Sequence, residues 1–222
     1  MAAEPGVVMM RLFLAIELPF ELRAAVATFQ QELRRRLERT ADRGIRVGWV
    51  QPDSMHLTLK FLGETDDQLV APLKTALSES LLGQQPAAVP LTRVGVFPRA
   101  LQPRVLWIGP AESWERGAEA ADLASLHRAV DGCCEVFGFA RDTRPFAPHL
   151  TLARVKEGER SVGQALLQSG VLDHPLSFGT LPVEGVVLMR SDLRPTGPVY
   201  TKLWEVRLPI TAAGEGSLGG EA

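Results

Sequence analysis

Two short stretches repeat the same order of side chains. His56-Leu57-Thr58-Leu59 and His149-Leu150-Thr151-Leu152 lie 149 − 56 = 93 positions apart in a chain of 222 residues. An imidazole with an ordinary pKa of about 6.5 serves as base or acid near neutrality. A threonine hydroxyl donates a hydrogen bond to an anionic oxygen. Two of each around one phosphorus give an acid, a base and oxyanion donors, with no activated nucleophile. That set suits in-line attack of water or a hydroxyl on a phosphodiester. Two histidines without a motif carboxylate make a poor closed metal site, so no metal and no other cofactor is expected. Zinc would need an Asp or Glu from elsewhere. One copy alone would mean little, because threonine is a good strand former and a lone histidine on a strand is most often structural. Two identical polar pairs have no packing rationale.

Both copies alternate a polar residue with a leucine, which is strand periodicity. Residues two apart on a strand share a face. His56 with Thr58, and His149 with Thr151, should therefore each project from one side, with leucines holding the other. By the same parity Arg154 falls on the face opposite His149 unless the strand ends or bulges between them. The elements that must carry these strands can be read in order. Arg11–Leu18 is a strand, Phe20–Arg39 a helix, Ile45–Val50 a short strand and Met55–Leu62 the first motif strand. A helix over Asp66–Leu82 follows, then strands over Ala88–Phe97 and Arg104–Gly109 and a helix over Ser113–Phe137. The second motif strand spans His149–Val155, and a short helix covers Glu157–Gln168. Strands near Leu176–Phe178, Val183–Met189 and Val199–Leu208 close the pattern. Hairpin-like strand pairs outnumber strand-helix-strand units, so the fold class is α+β with antiparallel sheets. Each motif follows a proline-containing turn and precedes a helix, which suggests two related halves facing one cleft.

The formal net charge is −2 and the hydrophobic share 45%. That supports a globular core and argues against bulk non-specific nucleic-acid binding. No segment has the length of a membrane span. Residues 1–9 read as a loose leader, 10–209 as one bilobal domain and the Gly-rich 210–222 as a disordered tail. The only cysteines, Cys133 and Cys134, are sequence neighbours, which fits a reducing cytoplasm and no disulfide framework. Arg34-Arg35-Arg36 reads as a solvated helical face, and His127 and His174 as structural or surface residues.

HLTLKFLG and HLTLARV resemble the paired H-x-T motifs of the 2H phosphoesterase superfamily. MRLFLAIELP, WVQPDSMHLTLKFLG, FAPHLTLAR and SDLRPTGPVYTKLWEV are similar to its RNA 2′,3′-cyclic phosphodiesterase branch, also described as 2′-5′ RNA ligases. The resemblance implies a bilobal α+β fold. Two antiparallel sheets flank a central cleft, helices lie outside, and a pseudo-two-fold relates the halves. It implies metal-independent hydrolysis of a 2′,3′-cyclic phosphate at RNA ends to a 2′-phosphate, with ligation as the reverse reaction. His56 and His149 would be the catalytic pair, with the base and acid not assigned between them. Thr58 and Thr151 would hold the phosphate, with Arg154 near it. Nucleobase stacking would need a rim aromatic, for which Phe13, Trp49, Phe146 and Tyr200 are candidates. The expected partner is an RNA or oligonucleotide with a cyclic phosphate end, bound by a monomer. The alternative is a binding module that grips an RNA end without turnover. Two titrating groups, which a pure binder does not need, favour catalysis.

Overall fold

The computed structural model describes residues 7–42, 44–195 and 197–209. Most of the expected leader and all of the expected tail lie outside them. The strands are β1 (Met9–Glu17), β2 (Arg46–Trp49), β3 (His56–Asp66), β4 (Ala87–Pro90), β5 (Arg93–Phe97), β6 (Val105–Gly109), β7 (Leu150–Glu157), β8 (Thr180–Val183), β9 (Gly185–Arg194) and β10 (Gly197–Arg207). The helices are α1 (Phe20–Thr40), α2 (Val70–Ser80), α3 (Ala118–Val136) and α4 (Glu159–Gln168). The architecture is α+β. No helix among the described residues is long and apolar enough to cross a membrane.

The main sheet runs in the order β10-β9-β1-β3-β7-β6-β5, with β2 also paired to β7, and all its pairings are antiparallel. The resemblance implies two antiparallel sheets flanking the cleft, and here the two halves are hydrogen-bonded into one sheet. The junction is a single register pair, Leu57 with Leu150. Beyond that pair β2 takes the edge of β7 from Ala153 to Glu157. β4 and β8 form a separate two-stranded sheet.

The leucines of both motifs are buried in one large core with the apolar stripes of α1, α2 and α3. α1 shows how that core is addressed: Leu22, Val26, Leu33 and Leu37 recur at helical spacing and are all buried. The opposite face of the first half carries a smaller cluster of Phe13, Ala15, Val187 and Met189, with Tyr200 packed against it.

Two expected strands fall differently. Ala88–Phe97 is not one strand but β4 and β5, which belong to different sheets. Leu91 breaks it by donating its N–H to Gly179 O, while the Thr92 hydroxyl accepts from Ala111 N. The segment around Leu176–Phe178 is not a strand. Its N–H groups go to Thr92 O and Leu91 O, and the strand forms one step later as β8.

Candidate active site

The single pair joining β3 to β7 sets the geometry of the site. Leu57 and Leu150 hold equivalent places in the two motifs, and they face each other in an antiparallel pair. An antiparallel pair of equivalent residues is locally two-fold symmetric. Its flanking positions then oppose each other crosswise, His56 to Thr151 and Thr58 to His149. Both leucines are fully buried, so all four polar side chains share the other face and are half-buried there.

Each motif strand bulges at the same place. In the pairing of β1 with β3, Leu14 opposes Lys60 and Ala15 opposes Thr58, leaving Leu59 as the extra residue. In the pairing of β6 with β7, Leu106 opposes Ala153 and Trp107 opposes Thr151, leaving Leu152 extra. The extra residues are 59 − 56 = 3 and 152 − 149 = 3 positions after their histidines. A bulge reverses side-chain parity. Leu59 and Lys60 are therefore consecutively buried, as are Leu152 and Ala153, and Phe61 and Arg154 return to the open face. The strand parity that set Arg154 opposite His149 is corrected by this bulge. A buried glutamine supports the second bulge. Gln30 on α1 donates to Leu152 O at 2.9 Å and to Val50 O at 2.8 Å. Leu152 O also accepts from Val50 N at 2.9 Å, so Gln30 ties α1 to the bulged strand.

The imidazoles are anchored identically. His56 Nδ1 lies 2.8 Å from Ser54 O, and His149 Nδ1 lies 2.7 Å from Ala147 O. A carbonyl only accepts, so Nδ1 carries the proton and donates. Nε2 is then the free nitrogen, a base when neutral and an acid when protonated. Two aromatic rings back each imidazole. Phe13 and Tyr200 stand 4.6 Å and 5.2 Å from His56. Phe97 and Trp107 stand 5.2 Å and 6.2 Å from His149.

Burial is the main cause that lowers both imidazoles below their ordinary value. The carbonyl bonds oppose it, and the Arg154 charge adds to it in both. The His149 charge also lowers His56, which places the two rings in one electrostatic site. Tyr200 is raised by burial against the opposing charges of Arg154 and Arg11. Arg154 thus acts on three cleft residues, as its position on the open face requires.

The four candidate stacking aromatics differ in exposure and surroundings. Phe13 is buried beneath His56, and Tyr200 is half-buried and nearly perpendicular to that ring. Trp49 packs on the main core. Phe146 lies flat on His127 at 4.2 Å. The exposed aromatic on the cleft side is Phe61, with 66% of its surface open, 6.1 Å from Phe13. Sequence reasoning passed over Phe61, Phe97 and Trp107. One signal was present for Phe61, because it follows His56 by the same five positions as Arg154 follows His149.

No group of three or more His, Cys, Asp or Glu among the described residues could hold a metal ion. The family described as LigT like Phosphoesterase matches residues 16–107 and 117–200. The RNA 2′,3′-cyclic phosphodiesterase of Methanothermobacter thermautotrophicus is 33% identical over 198 residues, covering 89% of this chain and 98% of its own. The RNA 2′,3′-cyclic phosphodiesterase of Thermus thermophilus is 36% identical over 200 residues, covering 87% and 88%. Among solved structures, E. coli LigT complexed with 3′-AMP superposes with a TM-score of 0.66 at 26% identity, covering 90% of this chain and 99% of that one. A crystal structure of a Thermus thermophilus protein gives 0.64 at 34% identity, covering 90% and 98%.

Proposed function

The chain belongs to the LigT-like phosphoesterase family, and on that premise we propose that it is an RNA 2′,3′-cyclic phosphodiesterase working by two-histidine acid–base catalysis. The observation that carries this reading is the crosswise arrangement of two Nδ1-anchored imidazoles and two threonines about the Leu57–Leu150 pair. Either imidazole presents a free Nε2 to a phosphorus held between them. Thr58, Thr151 and Arg154 hold the phosphoryl oxygens, and Arg154 stabilises the charge that builds on them.

The aromatics support one direction for the reaction. Phe61, the open ring, lies on the His56 side beside Phe13. A nucleobase stacked there brings its ribose, and with it the departing 3′ oxygen, to His56. Water then attacks from the opposite, His149, side. His149 Nε2 takes the proton from water as the oxygen–phosphorus bond forms. The bond from phosphorus to O3′ breaks, and protonated His56 gives its proton to that oxygen. A 2′-phosphate remains, and both rings recover their protonation states by exchange with solvent.

Both motifs come from one chain, so the monomer is the working unit, and residues 10–209 are taken as one catalytic domain. Cys133 and Cys134 are free and buried, and burial pushes the Cys134 thiol up to about 12. Unpaired, inert thiols suit the cytoplasm. No step requires a metal.

The test is an RNA oligonucleotide ending in a 2′,3′-cyclic phosphate, incubated with and without chelator. Conversion to the 2′-phosphate, indifferent to EDTA, is expected. His56→Ala and His149→Ala should each lose about 10²–10⁴-fold in rate while remaining folded. Binding of the oligonucleotide without turnover by the wild type would overturn the reading. So would near-normal rates in either variant.

A further inference from the structure

The bulge at Leu59 does more than expose Phe61. It turns Lys60 into the core, where 2% of the residue is exposed. A chain of polar contacts leads away from Lys60. Its ammonium pairs with Asp131 on α3, donates to Ala140 O at 2.8 Å and lies 3.8 Å from Asp142. Asp131 also accepts from Asp142 N at 3.2 Å, and Asp142 lies 3.6 Å from His127 Nε2. His127 stacks on Phe146, and Ala147, the next residue, accepts from His149 Nδ1. These contacts run from the first motif strand to the second histidine.

The two motifs need different support. His56 follows a tight 3₁₀ turn, Pro52–Ser54, whose last carbonyl anchors it. His149 follows a segment from Phe139 to Pro148 without helix or strand. That segment must be tied down by side chains if Ala147 O is to meet Nδ1. Burying a lysine and an aspartate costs several kcal/mol in desolvation per ion, so an apolar pair would serve the core as well or better. Burial works to raise the Asp131 carboxyl, yet the Lys60 and Asp142 hydrogen bonds outweigh it and hold it below its ordinary value. The Asp131 carboxylate therefore stays charged, and the bonds of the Lys60–Asp131 pair all reach the segment before His149 or the helix that leads to it. The two halves differ here. The position equivalent to Lys60 in the second motif is Ala153, four residues after its histidine as Lys60 is after His56.

We propose that Lys60, with Asp131, is a positioning residue for His149, fixing the 139–148 segment so that Ala147 O holds the catalytic tautomer. The proposal rests on His149 acting through a free Nε2. It predicts a defect confined to one of the two histidines.

The test is Lys60→Met combined with Asp131→Leu. Removing both charges avoids the uncompensated buried ion that either single variant would leave. The double variant should melt at or above the wild-type temperature. Its kcat toward a 2′,3′-cyclic nucleotide should fall about 10- to 100-fold, the scale expected of a misplaced catalytic group. KM should stay within about twofold, because ground-state contacts are untouched. Ring ¹⁵N NMR should show His149 losing its single Nδ1–H tautomer while His56 keeps it. Asp142→Ala, at a half-exposed position where folding is not at stake, should shift the same His149 signal in the same direction. Wild-type kcat with an unaltered His149 tautomer, in either variant, overturns the proposal. The NMR result stands apart from turnover. A shifted His149 tautomer supports the positioning role even if the wild type hydrolyses no cyclic phosphate, in which case the functional reading alone falls.

Discussion

Replacing Gly95 by alanine tests the second half of the site where the packing leaves least room. Gly95 on β5 pairs with Trp107 on β6, and the indole lies across it. A Cβ at Gly95 would stand 2.0 Å from Trp107 Cζ2, against an ordinary contact of 3.4 Å or more. The ring would have to retreat by at least 3.4 − 2.0 = 1.4 Å. Trp107 is only 8% exposed, with Phe97 stacked on it at 5.2 Å and Arg93 over the ring at 5.1 Å. Overpacking of this kind costs about 1–3 kcal/mol. For a domain of this size that is about 2–12 °C in melting temperature, at roughly 2–4 °C per kcal/mol. Phe97 and Trp107 also brace His149, and a misplacement near 1 Å can cost about 100-fold in rate. Gly95→Ala should therefore lower both the melting temperature and kcat. Gly132→Ala, on α3 with nothing within 4 Å of a new Cβ, is the control. It should keep kcat and gain up to about 1 kcal/mol in helix propensity. A Gly95→Ala protein with wild-type kcat would refute the idea that the Phe97–Trp107 pair positions His149.

Four further outcomes follow from the same geometry. Both histidines are depressed below 6.5, so both limbs of the kcat/KM profile should lie below that value, and an optimum above it would contradict the burial that lowers them. For stability the sign is set by proton uptake. Below 6.5 the unfolded chain protonates its histidines before the folded one does, so their contribution is complete above 6.5 and is lost as pH falls through the lowered folded values. A urea titration at several pH values measures it, and stability rising as pH falls from 6.5 would contradict the assignment. Arg154→Gln removes a charge that depresses both imidazoles, so both should titrate higher by NMR while kcat falls about 10²–10³-fold. Phe61→Ala should lose about 1–3 kcal/mol of stacking, raising KM for cyclic nucleotides, whereas Phe61→Trp should not. Equal KM for Phe61→Ala and wild type would remove Phe61 from the substrate site.

The part of this site that could be read in the sequence is the part fixed by local periodicity. Polar–leucine alternation placed His56 with Thr58 and His149 with Thr151 on one face each, because strand parity is a property of consecutive residues. The positions after the third motif residue were not legible in that way. Lys60, Phe61 and Arg154 take their facing from bulges, and a bulge is defined by the partner strand. Leu59 is extra only because Leu14 and Ala15 oppose its neighbours, and Leu152 only because Leu106 and Trp107 do. Gln30, which ties α1 to the second bulge, lies 122 positions from Leu152. The break within Ala88–Phe97 was hidden for a related reason. Both pieces alternate as strands do, and the hydrogen bonds that separate them come from Gly179 and Ala111. Residue type marks an aromatic that can stack on a base, but its exposure depends on what covers the ring, as Phe61 and Phe13 show.

The repeat would be of limited use if it were perfect. Two identical half-sites about one phosphorus would offer the same group to the attacking and the leaving oxygen, with nothing to orient the substrate. The backbone keeps the symmetry: equivalent leucines pair, equivalent residues bulge, and equivalent carbonyls anchor both Nδ1 atoms. The side chains break it at the two positions that the bulges turn. On the open face Phe61 stands where the other half has Arg154, an apolar ring against a cation. On the buried face Lys60 stands where the other half has Ala153, a cross-brace against a methyl. In the proposed mechanism the first difference gives the cleft a nucleoside side and a phosphate side, and so separates the acid from the base. The second lets the strand carrying one histidine hold the segment carrying the other. Exchanging Phe61 and Arg154 would keep every backbone feature of the site and reverse its polarity. The proposed roles of His56 and His149 therefore depend on these two residues more than on the motif that names them.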